Sequence, residues 1–155
     1  MHLWRISDYR NLSGRGGVRA SGRWHTAGEP IVYLAASAAA SLLEVLVHLE
    51  LVDPGLPPDY TLLRIETPDD LAVEPLVESN EKVWNAALRT SRKLGDTWLA
   101  KRRTALARVP SSIVPHTWNY LLNPLHPDAG RVTIASAEKC KFDARLLAGR
   151  KGTNT

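Results

Sequence analysis

The sequence predicts a single α+β domain with central mixed strands and surrounding helices. Three observations point there. The chain has 155 residues, 44% of them hydrophobic, which suits one domain built around one core. Short runs rich in β-branched and aromatic residues recur between loops that hold Gly, Pro, Asn and Asp. One segment, residues 37–50, is apolar over several turns at helical spacing.

Taken in order, residues 3–6 (Leu-Trp-Arg-Ile) read as a first strand. A polar loop follows, and Gly14, Gly16 and Gly17 mark it as flexible chain. It lacks the strand–helix context that a phosphate-cradling loop requires. Residues 31–35, bounded by Pro30, give a second strand. Ser37 is placed to cap a helix that runs to about residue 51, where Asp53-Pro54-Gly55 stops it. Residues 60–66 alternate as a strand, and 71–73 form a shorter one. Helices are read at 84–91 and 96–103, then a strand at 105–109 leads into Pro110-Ser111-Ser112. Asn123-Pro124 signals a turn before a last strand at 131–135. The domain is expected to span 1–148, with 149–155 a small, polar, frayed tail.

Charge and cysteine content narrow the function classes. The formal net charge of +4 permits an anionic partner without selecting nucleotide, nucleic acid or acidic protein. The densest basic segment, residues 89–103, also holds Trp98 and Leu99, so it reads as an amphipathic helix with a solvated face. No stretch approaches the roughly 20 apolar residues of a membrane span. The opening Met-His-Leu-Trp-Arg puts an arginine where an export signal needs its apolar region. A lone cysteine, Cys140, fits a reducing compartment. Together these predict a cytoplasmic protein. The five histidines (His2, His25, His48, His116 and His126) show no metal-ligand spacing, so no metal is expected.

The most informative segment is the helix from residue 37. At 100° per residue, Ser37, Ser41, Glu44 and His48 fall on one stripe about 60° wide. The rest of the helix is almost entirely Ala, Leu and Val. Such a helix is expected to be covered on most sides, its stripe facing a cleft or an internal polar network. Glu44 is the stripe's one carboxylate. His48, near the helix end, is read as structural, interacting with C-terminal carbonyls.

Several separated pieces carry a family resemblance. They are Ser21-Gly22-Arg23-Trp24, Ile31-Val32-Tyr33-Leu34-Ala35-Ala36-Ser37, Glu44, Val109-Pro110-Ser111-Ser112, and Asn119-Tyr120-Leu121-Leu122-Asn123-Pro124. In this order the chain resembles the RES-domain family, named for an arginine, a glutamate and a serine, along nearly its whole length. Two departures stand out. His25 follows Gly-Arg-Trp where the family usually has asparagine, and Ser112 follows the motif serine where it often has alanine. Ser111 is taken as the motif serine because it directly follows Pro110.

The resemblance implies a fold related to ADP-ribosyltransferases and a toxin that cleaves the nicotinamide–ribose bond of NAD+, by hydrolysis or phosphorolysis. It implies no metal, and NAD+ enters as substrate. Arg23, Tyr33, Glu44 and Ser111 are the expected catalytic site, with Arg5 and Ser37 beside Arg23, Tyr33 and Ser111 in binding NAD+. These residue types suit the task. Arginine offers pyrophosphate a fixed charged fork, Tyr33 a flat surface for a ring, and Glu44 a charge against an oxocarbenium-like ribose. Ser111 is read as a positioning hydroxyl, and Asn119 and Asn123 as orienting the loop. The implied partner is an Xre-like antitoxin that covers the cleft and makes any DNA contact itself, with a symmetric hetero-oligomer through that antitoxin. Two alternatives stay open: transfer of ADP-ribose to a cellular protein, and a basic toxin that binds RNA or DNA directly.

Overall fold

A computed structural model describes residues 1–49, 59–78 and 87–146. The sequence expectations that fall elsewhere, including the helix beyond residue 49, residues 84–86 and the tail at 149–155, lie outside the described residues.

Seven strands form one mixed sheet: β1 (His2–Ile6), β2 (Val32–Ala35), β3 (Asp59–Glu66), β4 (Val73–Pro75), β5 (Leu106–Pro110), β6 (Trp118–Leu122) and β7 (Thr133–Lys141). Their order is β4-β5-β6-β2-β1-β3-β7. β4 pairs parallel with β5, and every other pairing is antiparallel. Three helices accompany the sheet: α1 (Arg15–Arg19), α2 (Ala38–Leu49) and α3 (Leu88–Lys101). The expected α+β architecture is the one found.

Alternation along the central strands feeds apolar side chains to both faces. Val32 and Leu34 of β2, Leu106 of β5 and Leu122 of β6 join Leu3, Leu63 and Ile65 in one buried cluster. Ala107 and Val109 of β5 and Leu121 of β6 join Trp24, Trp98 and Leu99 in a second. The second cluster lies under α3, which contributes Trp98 and Leu99. α2 packs on β1 and β2, and Ser37 caps it by accepting the Ala40 N–H at 3.0 Å.

Several sequence expectations need correction. The glycine segment is not a plain loop: Gly14 adopts φ 68° and residues 15–19 coil into α1. A Cβ at Gly17 would lie 2.6 Å from Ile31 Cγ2 and 2.8 Å from the Glu29 carbonyl oxygen, so glycine there serves close packing. The helices read at 84–91 and 96–103 are one continuous helix across the described part, with Gly95 inside it. A Cβ at Gly95 would fall on the Trp24 carbonyl oxygen, so this glycine is a point of close approach rather than a break. The strand read at 71–73 sits two residues later, as β4.

β6 was not anticipated, because Asn119 interrupts the apolar run of Trp-Asn-Tyr-Leu-Leu. The last strand is longer and later than 131–135, and Pro127–Arg131 is a 3-10 turn. β7 pairs with β3 through a register shift at Arg64/Ile65. The shift puts Ile134 and Ala137, the partners of Ile65 and Leu63, on one face, and the half-buried positions Ile134, Ala137 and Cys140 show no two-residue alternation. α2 is also less covered than its composition suggested, since Leu43 and Val47 stand 41% and 38% exposed.

Candidate active site in the cleft beside α2

β1, β2, β6, α1 and the loop after it enclose a cleft of about 680 Å³, within the range of about 300–1,000 Å³ typical of small-molecule sites. A smaller lobe of about 200 Å³ adjoins it, and the two share Arg5, Tyr33, Glu44, His48 and Asn119. The larger lobe is walled by the glycine-rich segment, Arg23, Arg92 and Ser112. The smaller is mainly apolar, with Trp4, Ile6, Leu34 and Val45.

Glu44 projects from α2 to the junction of the lobes. Its Oε1 accepts from Asn119 Nδ2 at 2.7 Å and from the Ser111 hydroxyl at 3.4 Å. Its second oxygen makes no hydrogen bond among the described residues. One carboxylate oxygen is thus fixed from behind while the other is left for the cleft. Asn119 pairs with Ala35 and Val109 in neighbouring strands, which rigidly places its amide. Because only the nitrogen can donate to a carboxylate, the amide oxygen points elsewhere and is buried without a partner.

Ser111 is 3% exposed and does not line the cleft. Its oxygen accepts the Ile113 and Val114 N–H groups at 3.1 and 3.2 Å. It therefore both ties the turn after β5 and supports Glu44 from behind. Ser112 is the serine on the cleft wall. Ser37 is exposed, is occupied in capping α2 and does not line the cleft. Of the stripe, Ser41 bonds back to the Ala38 carbonyl at 2.7 Å and lines only the smaller lobe, whereas Glu44 and His48 line both lobes.

Two arginines face the cleft unpaired. Neither the Arg5 nor the Arg23 side chain makes a hydrogen bond or ion pair among the described residues, and burial pulls the Arg5 guanidinium below its ordinary value. Burying a cation without a close counter-charge is costly, and a partly buried one carries some of that cost, so this corner favours an anion. Glu44 is the one acid among the described residues lining the larger lobe.

α3 holds the Arg23 loop in place. Ser91 Oγ donates to the Arg23 carbonyl at 2.6 Å, and Arg92 Nε donates to the Gly22 carbonyl at 2.8 Å. Asp96 accepts from the Thr26 amide and hydroxyl at 2.8 and 2.7 Å, while Gly95 abuts Trp24. Ser91, Arg92, Gly95 and Asp96 share one helix face by their i, i+4 spacing. Sequence reading treated Arg92 as part of a solvated basic face; here it lines the cleft. Arg103, from the same basic run, pairs with Glu74. The basic residues of 89–103 are therefore divided among separate surroundings.

The Tyr33 hydroxyl accepts from the Trp24 amide at 3.1 Å and meets His25 Nδ1 at 2.8 Å. Burial raises its pKa to about 12, opposed by the Trp24 amide bond. Its ring borders both lobes. Among the described residues, no group of three His, Cys, Asp or Glu side chains could hold a metal ion. No helix among them is long and apolar enough to cross a membrane.

Known proteins resemble this chain in sequence and in fold. A protein described as Toxin Res from Pseudomonas putida is 47% identical over 147 residues, covering 95% of this chain and all of that one. The Prs ADP-ribosylating toxin of Sphingobium sp. is 41% identical over 94% of this chain and 96% of its own. The solved MbcT-MbcA toxin-antitoxin complex of M. tuberculosis contains a similar fold, with a TM-score of 0.74, 20% identity, and coverage of 94% of this chain and 86% of that one. The family profile described as RES domain matches residues 2–143, and the chain belongs to the RES-domain family.

Proposed function

We propose that the cleft binds NAD+ and breaks its nicotinamide–ribose bond, and that the protein is a toxin restrained by a protein antitoxin. The observation that carries this reading is one cleft holding unpaired Arg5 and Arg23 together with a braced, half-free Glu44. The pyrophosphate of a dinucleotide meets the anion demand of the arginines. Arg92 adds the guanidinium nitrogens not used on Gly22. The Tyr33 ring gives a flat surface for the nicotinamide or its ribose. As the glycosidic bond lengthens, positive charge grows on the ribose, and the free oxygen of Glu44 stabilises it electrostatically. Nicotinamide leaves as a neutral molecule, so the leaving group needs no general acid.

The acceptor of the ADP-ribosyl group is read as water or phosphate. The cationic corner formed by Arg5 and Arg23 can hold a phosphate beside the site. The relative from Sphingobium, named as an ADP-ribosylating toxin, favours a protein acceptor as the second reading. Labelled NAD+ in cell extract, with and without phosphate, separates the two. Label in free ADP-ribose or its phosphorylated form is expected, and label concentrated on one protein band would overturn that choice of acceptor.

A protein cover suits the rim. Leu43 and Val47 flank Glu44 and His48 on α2, Leu88 lines the cleft, and Val18 lies on α1, all substantially exposed. The proposed partner is the antitoxin implied by the family, of Xre type, and it carries any DNA contact. Expression of this chain alone should lower cellular NAD+ and halt growth, and the antitoxin should reverse both. Toxicity that survives Glu44→Gln would favour the nucleic-acid reading instead.

A further inference from the structure

The imidazole of His25 takes no part in the chemistry above, yet it is among the most buried side chains, at 2% exposure. Its two nitrogens join three segments of the cleft wall. Nε2 lies 3.0 Å from the Gly17 carbonyl oxygen of α1. Nδ1 lies 2.8 Å from the Tyr33 hydroxyl of β2 and 3.2 Å from the Gly22 amide, which also donates to the His25 backbone carbonyl at 3.1 Å.

These partners fix the protonation pattern. A carbonyl oxygen only accepts, so Nε2 carries the hydrogen; an amide N–H only donates, so Nδ1 is bare. The Tyr33 hydroxyl must then donate to Nδ1, and its oxygen accepts the Trp24 amide at 3.1 Å. The hydroxyl is thereby occupied, and the ring is what Tyr33 offers a ligand. Arg23 sits between two anchored neighbours, because the amide of Gly22 is shared between the imidazole and the His25 carbonyl and that of Trp24 ends on the tyrosine held by the same imidazole. Glycine makes the approach possible: a Cβ at either Gly17 or Gly22 would come within 3.0 Å of an imidazole nitrogen.

We propose that His25, as the neutral Nε2–H imidazole, is the positioning residue that presents the Tyr33 ring and Arg23 to the dinucleotide. It serves binding and takes no part in bond breaking. This rests on the reading that the cleft takes NAD+.

The test combines a measurement on the unaltered protein with two substitutions. Nitrogen NMR of the imidazole reads the tautomer directly. His25→Asn keeps an acceptor where Nδ1 stood and loses the reach to Gly17. His25→Gln keeps a donor toward Gly17, leaves Tyr33 without its acceptor, and leaves the Gly22 amide only the backbone carbonyl of residue 25. The expected results are a bare Nδ1 and an NAD+ KM within about threefold of wild type for His25→Asn. His25→Gln should raise KM about tenfold or more, and kcat should change by less than about threefold in both, the pattern of lost uniform binding. A hydrogen on Nδ1, an unchanged KM in His25→Gln, or a fall in kcat at constant KM would overturn the proposal. Wild-type protein that leaves NAD+ intact removes the parent reading and this one with it. NAD+ turnover with an indifferent His25→Gln removes this one alone. The tautomer is read without any substitution, so a variant that fails to fold does not shield the proposal.

Discussion

Replacing Asn119 with leucine removes the amide that donates to Glu44 Oε1 at 2.7 Å, and with it a buried amide oxygen that has no partner. A hydrogen bond to a charged group contributes about 1.5–3 kcal/mol, and leaving a buried acceptor unsatisfied costs about 1–3 kcal/mol. The two nearly cancel in stability, so Asn119→Leu should leave ΔG of unfolding within about 1.5 kcal/mol of wild type, a shift of no more than about 6 °C in Tm. Catalysis gains nothing from the relief. The Ser111 hydroxyl, at 3.4 Å, lies at the limit of hydrogen bonding and is a poor substitute for the lost donor. If the full 1.5–3 kcal/mol is felt in the transition state, kcat falls about 10- to 100-fold. Chromatographic measurement of nicotinamide release gives kcat, and thermal unfolding gives the stability. A folded Asn119→Leu protein with kcat within about threefold of wild type would refute the idea that this amide holds the working carboxylate.

Other outcomes follow from the same geometry. Glu44→Gln keeps shape and removes charge, and should lower NAD+ turnover at least about 100-fold, as for loss of a key electrostatic group; near-normal turnover in folded protein would reject the assignment. Arg23→Lys should weaken NAD+ binding in a direct titration despite its retained charge, because the planar fork is lost, and unchanged affinity would count against phosphate binding there. Gly95→Ala puts a methyl group onto the Trp24 backbone, so it should cost about 3 kcal/mol or more, at the upper end for overpacking; a Tm lowered by less than about 3 °C would show that α3 can move away from the loop.

Much of the central architecture was legible because it follows local rules. β1, β2, β3 and β5 are short apolar runs bounded by turn residues, and α2 shows helical spacing after a capping serine. β6 and β7 were obscured for identifiable reasons. β6 carries Asn119 in mid-strand because its amide meets Glu44, and the register shift at Arg64/Ile65 breaks the alternation of β7. Gly95 falls between the two helices read from the sequence and is a contact with Trp24 in space. Of the residues expected at the site, Arg5, Arg23, Tyr33 and Glu44 line one cleft, Ser111 stands behind Glu44, and Ser37 is occupied in capping. The contributions of Arg92 and His25 were not legible. Arg92 looks like any cation of a basic helix until its tie to Gly22 is seen. The role of His25 depends on three segments that the sequence does not place together.

Cleavage of the bond between nicotinamide and ribose is the reaction proposed for this cleft. Purified protein incubated with NAD+, with water or inorganic phosphate as the available acceptor, followed by mass identification of every product, tests it most directly. The expected products are free nicotinamide with ADP-ribose, or with ADP-ribose carrying one added phosphate, and Glu44→Gln protein should yield neither at a comparable rate. Intact NAD+ after prolonged incubation with folded protein, or products cut at the pyrophosphate with nicotinamide still attached to its ribose, would contradict it.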